Sequence, residues 1–338
     1  MNMNLKTIAE RAGVSTATVS NVINGNHHKV SRETIQRVNR VIEELHYSPN
    51  ATARSLACKK SKIIGLLIPN TGSDMNFGSD PYIASAIALL EQIVRREGYY
   101  LFIRSVVRSR EITSLAHTWN IDGLVILGAF GDEVAEIEEV LKDTPTVYTD
   151  TYAADVPIAN VGINDYKGGF LSARYLLGKG HRKIALVSPP LESPGVINER
   201  YRGFCDALKE RGLALSPEDI FSAETNCEAG CEAGKAIALS GRGYTAVAAM
   251  SDTLALGVNR GLQLGGLNVP DDVSVIGFDN LRLSRFTTPA ITTISQNIEE
   301  KFALVGKHLF QMIREGKKYA VNEVLDVEIV ERQTVRKL

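Results

Sequence analysis

Cysteine is scarce in this chain. Cys58, Cys205, Cys227 and Cys231 are its whole complement, too few and too unpatterned for a disulfide framework, so reduced thiols are expected. Cys227 and Cys231 could share a helical face as metal ligands, but no His or third Cys stands near them, and no metal site is expected. No run approaches 18 apolar residues, and the opening MNMNLKTIAE lacks the apolar core of a signal peptide. Neither a membrane span nor export is expected, which leaves the cytoplasm. Catalytic motifs are missing too: GxSxG and HExxH do not occur, and His27, His28, His46, His117, His181 and His308 share no motif spacing. GRGYTA at Gly241 to Ala246 is the nearest approach to a phosphate loop, yet it lies before an expected strand, whereas the dinucleotide fingerprint follows one. An enzyme is not expected, and no cofactor is called for.

Net charge is nearly absent as well, at −1, until the chain is divided at Lys62. Residues 1–62 hold ten Lys and Arg against four Asp and Glu, and the remainder holds 28 against 35. A basic head on an acidic body is the asymmetry expected when one small domain meets phosphates and the rest does not, although a solvated basic surface would count the same. Apolar residues are plentiful at 44%, and 338 residues of this composition support two or three domains with sizeable cores.

The stretch from Leu5 to Asn24, LKTIAERAGVSTATVSNVIN, reads as a helix-turn-helix. Leu5, Ile8, Ala9 and Ala12 recur at helical intervals, and Gly13 follows where a turn must bring two helices close, a position suited to a residue without Cβ. Ser15 is a plausible N-cap for TATVSNVI, whose buried side is Val19, Val22 and Ile23. The opposite side is led by Ala17 and Asn21, with Ser20 and Asn24 beside them, all small or hydrogen-bonding. Such a face fits a major groove; an ordinary αα-hairpin is the alternative. From Val30 to Leu45 a third amphipathic helix is expected, capped by Ser31 with Glu33 in its first turn. YSPNATARSLACKKSK comes next. Pro49 can open a helix there, but with Leu56 as its only sizeable apolar side chain this helix is conditional, the alternative being a flexible basic linker.

From Ile63 the pattern changes to short apolar runs alternating with helical segments. KIIGLLIP, YYLFIRSV, DGLVIL and PTVYT, then NVGI, KIALVS, TAVAAM and DVSVIGF, read as buried strands of parallel sheets covered on both faces. Two such halves make two α/β lobes, with the chain crossing between them near Asp150 to Asn164 and near Gly277 to Thr293. The expected division is a helix-turn-helix domain at 1–48, a hinge helix at 49–60 and a core at 61–338. Within the core a first lobe takes about 61–160 plus 292–322, and a second about 161–291 plus 323–338.

This order of parts resembles the lactose/galactose repressor family of bacterial transcription regulators over essentially the whole chain. LKTIAERAGVSTATVSNVING and YSPNATARSLACKKSKIIGLLIP are highly specific matches, and NDYKGG, LLGKGHRKIALVS, ERYRGF, MSDTLALG, VPDDVSVIGFDN and TTISQ are weaker ones. The resemblance implies an α/β fold with a small all-α helix-turn-helix head and a two-lobed core like a periplasmic sugar-binding protein. It also implies a homodimer that binds a pseudo-palindromic double-stranded DNA operator and senses a small effector, a sugar or sugar derivative, between the lobes. A transporter's solute-binding receptor would share such a core, but the basic head argues against it.

Carried over residue by residue, Thr16, Ala17 and Asn21 occupy base-reading positions, with Ser15, Thr18, Ser20 and Asn24 beside them. Arginine is frequent where Asn21 stands, and Asn favours adenine where Arg would bond guanine. In the hinge, Leu56 matches the side chain that wedges into the minor groove, with Ala53 packed beside it and Asn50 and Lys59 as further DNA contacts. In the core, Arg200 of ERYRGF and Asp279 of GFDN match effector-contacting positions, and Asp150 is a third candidate. Asp252 is read as the N-cap of TLALGVNRGL, so Ser251 is the ligand candidate there. PNTGSDMNFGSDPYIASAI holds several extra residues, from Thr71 to Asp80; Tyr82 aligns best with the family's aromatic over the effector, and Phe77 is the alternative. No heptad run follows VEIVERQTVRKL, so a dimer rather than a tetramer is expected.

Overall fold

Helix α1, Leu5–Ala12, buries Ile8, Ala9 and Ala12 on one side, the side the helical spacing marks out. The computed structural model describes residues 5–23, 25–45, 47, 60–69, 80–106, 109–129, 131, 133–153, 155–191 and 195–338. It divides into two units, Met1–Lys62 and Ile63–Leu338. In the first unit, α2 (Thr16–Ile23) and α3 (Arg32–Glu44) close on α1 through Val19, Val22, Val38 and Val41. Ser15 accepts from the Thr18 amide and Ser31 from that of Thr34, so both expected caps are made. Gly13 has another role than the spacing suggests. Its φ is +65°, and a Cβ on it would meet nothing within 4 Å, so the turn needs glycine for left-handed backbone rather than for close helix contact.

The second unit holds two six-stranded sheets. The first runs β11-β5-β4-β3-β1-β2, with β1 at Ile63–Pro69, β2 at Tyr100–Val106, β3 at Gly123–Leu127, β4 at Thr146–Thr149, β5 at Ala159–Ile163 and β11 at Val321–Leu325. All its pairings are parallel. The second runs β12-β10-β9-β8-β6-β7, with β6 at Ile184–Ser188, β7 at Ile220–Ser222, β8 at Ala246–Ala249, β9 at Ser274–Asp279, β10 at Thr292–Ser295 and β12 at Glu328–Val330. Only β12, on β10, is antiparallel among the described pairings. Period-two alternation divides the core: Ile64, Leu66 and Ile68 pack with helices Pro81–Arg96 and Ile298–Glu315, while Leu67 packs on the other face with Ile112 and Val134. Among the described residues no helix is long and apolar enough to cross a membrane.

The lobe boundaries differ from the sequence expectation. Strand Thr292–Ser295 was expected in the first lobe, but it pairs with β9 in the second sheet, so the chain crosses at Gln296–Asn297 rather than between Gly277 and Thr293. The strand Ala159–Ile163, the NVGI expected to open the second half, pairs with β4 in the first sheet, so the first crossing lies at Asn164, at the end of the expected interval, and a third, at Asp326–Val327, joins β11 to β12. The reason is register: Thr292 to Ser295 continue the ladder beside Ile276 to Asp279 and cover the edge that β9 would otherwise expose. The 18-residue helix Ile298–Glu315 was not among the expected elements; Phe302, Val305, Leu309 and Met312 give it an inner stripe, and Lys301 and His308 lie buried on the same side.

The motifs NDYKGG and ERYRGF have a packing explanation. They place Gly169 on helix Asp165–Gly178 against Gly203 on helix Val196–Lys209. A Cβ on Gly169 would collide with the carbonyl oxygen of Arg200, and one on Gly203 with that of Tyr166. This close approach sets Arg200 beside Asp165. Replacing Gly169 with Ala should destabilise the protein by about 1–3 kcal/mol, since backbone atoms cannot yield as a flexible side chain does. Urea unfolding measures this, and an unchanged midpoint would show that the helices separate without cost.

Candidate functional site

The head presents the expected face. Ser15, Thr16 and Ala17 are exposed at the start of α2, and Thr18, Ser20 and Asn21 are half-buried behind them. The side chains of Ser15 and Thr18 bond each other at 2.9 Å, which fixes the first turn. The other expected DNA contacts, Asn24, Asn50, Ala53, Leu56 and Lys59, lie outside the described residues, as do Phe77 and Thr71 to Ser79 of the extra loop.

In the core, the ends of β4 and β9 meet a run of polar groups around the second crossing. Arg200 is buried, at 6% exposure, and donates through Nε to Asp165 at 2.8 Å and through Nη1 to the Met250 carbonyl at 2.8 Å. Its guanidinium lies 3.7 Å over the Phe278 ring and 3.8 Å from the Asp279 carboxylate. Asp279 accepts from Gln296 Nε2 at 2.5 Å. Gln296 in turn accepts from Lys301 Nζ at 2.7 Å, and Lys301 pairs with Asp150 at 2.8 Å and donates to the Tyr82 hydroxyl at 2.7 Å. Tyr82 donates to Asp150 at 2.8 Å. On the other side Tyr152, two residues beyond Asp150, donates to Asp165 at 2.8 Å. The chain of contacts therefore leaves the first lobe at Asp150, passes through the crossing residue Gln296 into the second lobe, and returns at Tyr152.

The backbone is distorted where this ring turns. Asp150 has φ +52°, Asp279 +117°, Asn280 +59° and Asn297 +44°. Asp and Asn tolerate the left-handed region, but +117° at a non-glycine residue costs on the order of 1–3 kcal/mol and is held only by its surroundings. Burial pushes the Asp279 carboxyl up to about 8, against the opposing pull of Arg200. Burial likewise raises Asp165, with Arg200 again opposing.

Four of the five expected effector residues, Tyr82, Asp150, Arg200 and Asp279, fall in this ring. Ser251 does not. It is the N-cap of helix Asp252–Leu264, accepting from the Leu254 amide at 3.1 Å, and Asp252 is not the cap. Asp252 is buried and accepts from Ser284 at 2.5 Å, Thr293 at 2.6 Å and the Leu281 amide at 2.8 Å, tying β10 and the Arg282–Arg285 turn to the helix. The roles are exchanged because the cap position takes extended backbone, which is found at Ser251. Sequence reasoning also missed Asp165, Gln296 and Lys301. Asp165 and Gln296 stood inside the quoted motifs NDYKGG and TTISQ, and Lys301 had a signal too: a lysine on the inner stripe of an apolar helix needs a partner. Arg200 does not pair with Glu199, which holds Arg202 instead. Among the described residues no group of three or more His, Cys, Asp or Glu is placed to hold a metal ion.

Comparison with known proteins decides the family. The model of bacterial regulatory proteins of the lacI family matches residues 4–50, and that of the periplasmic binding protein-like domain matches 173–335. The chain is 34% identical to the HTH-type transcriptional repressor PurR of Histophilus somni (strain 129Pt), over 99% of each chain. It belongs to the lacI family. Its fold also matches the lac repressor dimer bound to operator and the anti-inducer ONPF, with a TM-score of 0.84 and 26% identity over 99% of this chain and 100% of that one. A regulator of this family from Enterococcus faecium with bound ribose matches 82% of this chain and 99% of that one, with a TM-score of 0.71 and 26% identity. The lacI family is one of transcriptional regulators, not of enzymes.

In this lacI-family protein an open cavity of about 960 Å³ adjoins the ring on the Tyr152 side. Asp150, Asn160, Asp165 and Glu199 line it, but Tyr82, Arg200 and Asp279 do not. We take the ring, not this cavity, as the candidate site, because the buried charges and the distorted backbone converge on it.

The raised Asp279 gives a pH signature. The folded chain keeps the proton up to about pH 8, whereas the unfolded chain releases it near the ordinary value of 3.8. The group therefore costs stability progressively as pH rises from about 4 to about 8, and the cost levels off above that. Asp279→Asn should become more stable relative to the wild type across this window, as read from thermal melts of both proteins at several pH values. A constant difference would show that the carboxylate is ionised throughout.

Proposed function

We propose that this chain is a homodimeric repressor whose operator affinity is set by a carbohydrate-type effector bound at the interlobe ring. The observation that carries the reading is the Asp150–Lys301–Gln296–Asp279–Arg200–Asp165 connection, which joins both lobes through a crossing segment. Carboxylates that accept and a guanidinium that donates in a fixed fork suit a polyol, and stacking Arg200 on Phe278 holds that fork still. A ligand with different affinity for two lobe arrangements shifts their populations, and by reciprocity operator binding shifts its affinity for the ligand.

The helix-turn-helix at 1–48 reads DNA, with Thr16, Ala17 and Asn21 at base edges and Ser15, Thr18, Ser20 and Asn24 beside them. Residues 49–60, including Asn50, Ala53, Leu56 and Lys59, are assigned to the operator centre on the family resemblance, and the rest of the chain senses the effector and dimerises. C2 symmetry in such a dimer requires a pseudo-palindromic operator. DNA as the partner supports our assignment of the protein to the cytoplasm.

Asn21→Ala should weaken specific operator binding by about 1–3 kcal/mol while leaving binding to unrelated duplex nearly intact. Fluorescence anisotropy on both duplexes at one salt concentration checks this. Equal losses on the two would make Asn21 a backbone contact rather than a base reader.

A further inference from the structure

Lys301 has no counterpart among the residues expected at the site, and it changes what the site offers. Its side chain is fully buried. Four oxygens surround Nζ: both of Asp150 at 2.8 and 2.9 Å, the Tyr82 hydroxyl at 2.7 Å and Gln296 Oε1 at 2.7 Å. An ammonium has three donors, so none is left for a ligand. Asp150 is equally occupied, accepting from Lys301 and from Tyr82. The second cation, Arg200, has its own carboxylate in Asp165. Asp252, the next buried acid, spends its oxygens on Ser284, Thr293 and the Leu281 amide. Asp80 caps helix Pro81–Arg96 by accepting from the Tyr82 amide. What remains at the ring is Asp279, whose carboxyl burial pushes up to about 8 and which has lone pairs left beside those that accept from Gln296 and the Asp252 amide, and the outer N–H groups of Arg200.

We propose that Lys301 is the residue that sets effector charge: by pairing Asp150 within the first lobe it withdraws that carboxylate from ligands, so the site takes an uncharged polyhydroxy compound. This rests on the interlobe ring being the effector site. A phosphate or carboxylate group could accept from the outer N–H groups of Arg200, but that guanidinium is already balanced by Asp165 and Lys301 by Asp150, so a second anion would be buried without a compensating charge unless it displaced one of them. An ammonium group could approach Asp150 from the cavity that this carboxylate lines, but Lys301 already balances its charge and would repel the newcomer. A hydroxyl brings no charge to balance, and it donates to Asp279 and accepts from Arg200 at once.

The test is a thermal-shift titration of the full chain against matched sets of pentoses and hexoses: each neutral sugar, its amino derivative, its uronic acid and its phosphate. In the wild type a neutral sugar should raise the melting temperature, with its charged derivatives binding about tenfold more weakly or worse. Lys301→Met releases Asp150 and should shift preference towards the amino derivative by about tenfold. The double variant Asp150→Asn/Lys301→Met removes both charges, avoids an unpaired buried carboxylate, and should bind neutral and amino forms alike. Tighter binding of a phosphate or uronic acid by the wild type would overturn the proposal, as would an unchanged neutral-over-amino ratio in the double variant. No shift with any member would overturn the polyhydroxy class. Operator retention measured on the wild-type sample reports separately on the DNA-binding reading.

Discussion

The candidate site depends on the ion pair between Arg200 and Asp165, both almost wholly buried. Removing two charges from water costs several kcal/mol each, and the pair is tolerable only where further hydrogen bonds fill the remaining positions. Here Met250 supplies a carbonyl to Arg200, Phe278 supplies a ring face, and Tyr152 supplies a hydroxyl to Asp165. Of these contacts the Arg200–Asp165 pair itself spans the two helices and depends on how closely they approach. Gly169 and Gly203 therefore act on the site at one remove, since the backbone approach they permit sets the Arg200 side chain against its partner. The same economy holds in the first lobe, where Lys301 is bearable only because Asp150, Tyr82 and Gln296 surround it.

Much of this was legible in the residues. Alternating apolar runs located eight of the strands, and the helix-turn-helix spacing located α1 and α2 with both expected serine caps. What the pattern could not show were features decided by tertiary context. The short strand Thr292–Ser295 has threonines where a buried strand usually shows aliphatic residues, and its place depends on pairing with β9. The helix Ile298–Glu315 carries a lysine and a histidine on its inner face, and the partners those two find are not in the pattern. At the site, Arg200, Asp279, Asp150 and Tyr82 came from family resemblance, whereas their connection through Gln296 and Lys301 came only from coordinates. The exchange of roles between Ser251 and Asp252 shows the limit of local rules: both residues suit a cap, and only the backbone conformation at Ser251 chooses between them.

Asp252 also shows how the second lobe is kept as one piece. A single carboxylate gathers the start of one helix, the strand Thr292–Ser295 and the turn at Arg282–Arg285. Leu283 and Phe286, in and just after that turn, are exposed large apolar side chains. Their backbone is thus fixed to the same interior that carries Asp279, whose carboxylate accepts from the Asp252 amide at 3.4 Å.

The three crossings have a mechanical meaning. They are not independent tethers: the Asn164 amide bonds the Leu325 carbonyl at 3.0 Å, Lys167 holds Asp326, and Asn297, Asp326 and Val327 line one small polar hollow of about 460 Å³. A single strap would let the lobes swivel in every direction, and two would still let them twist. Three, clamped side by side, resist torsion and sliding and leave bending as the soft direction. A lobe pair joined in this way behaves as a hinge with one axis. A ligand at the ring would therefore act beside the Gln296–Asn297 strap, where bending is the direction the three leave soft.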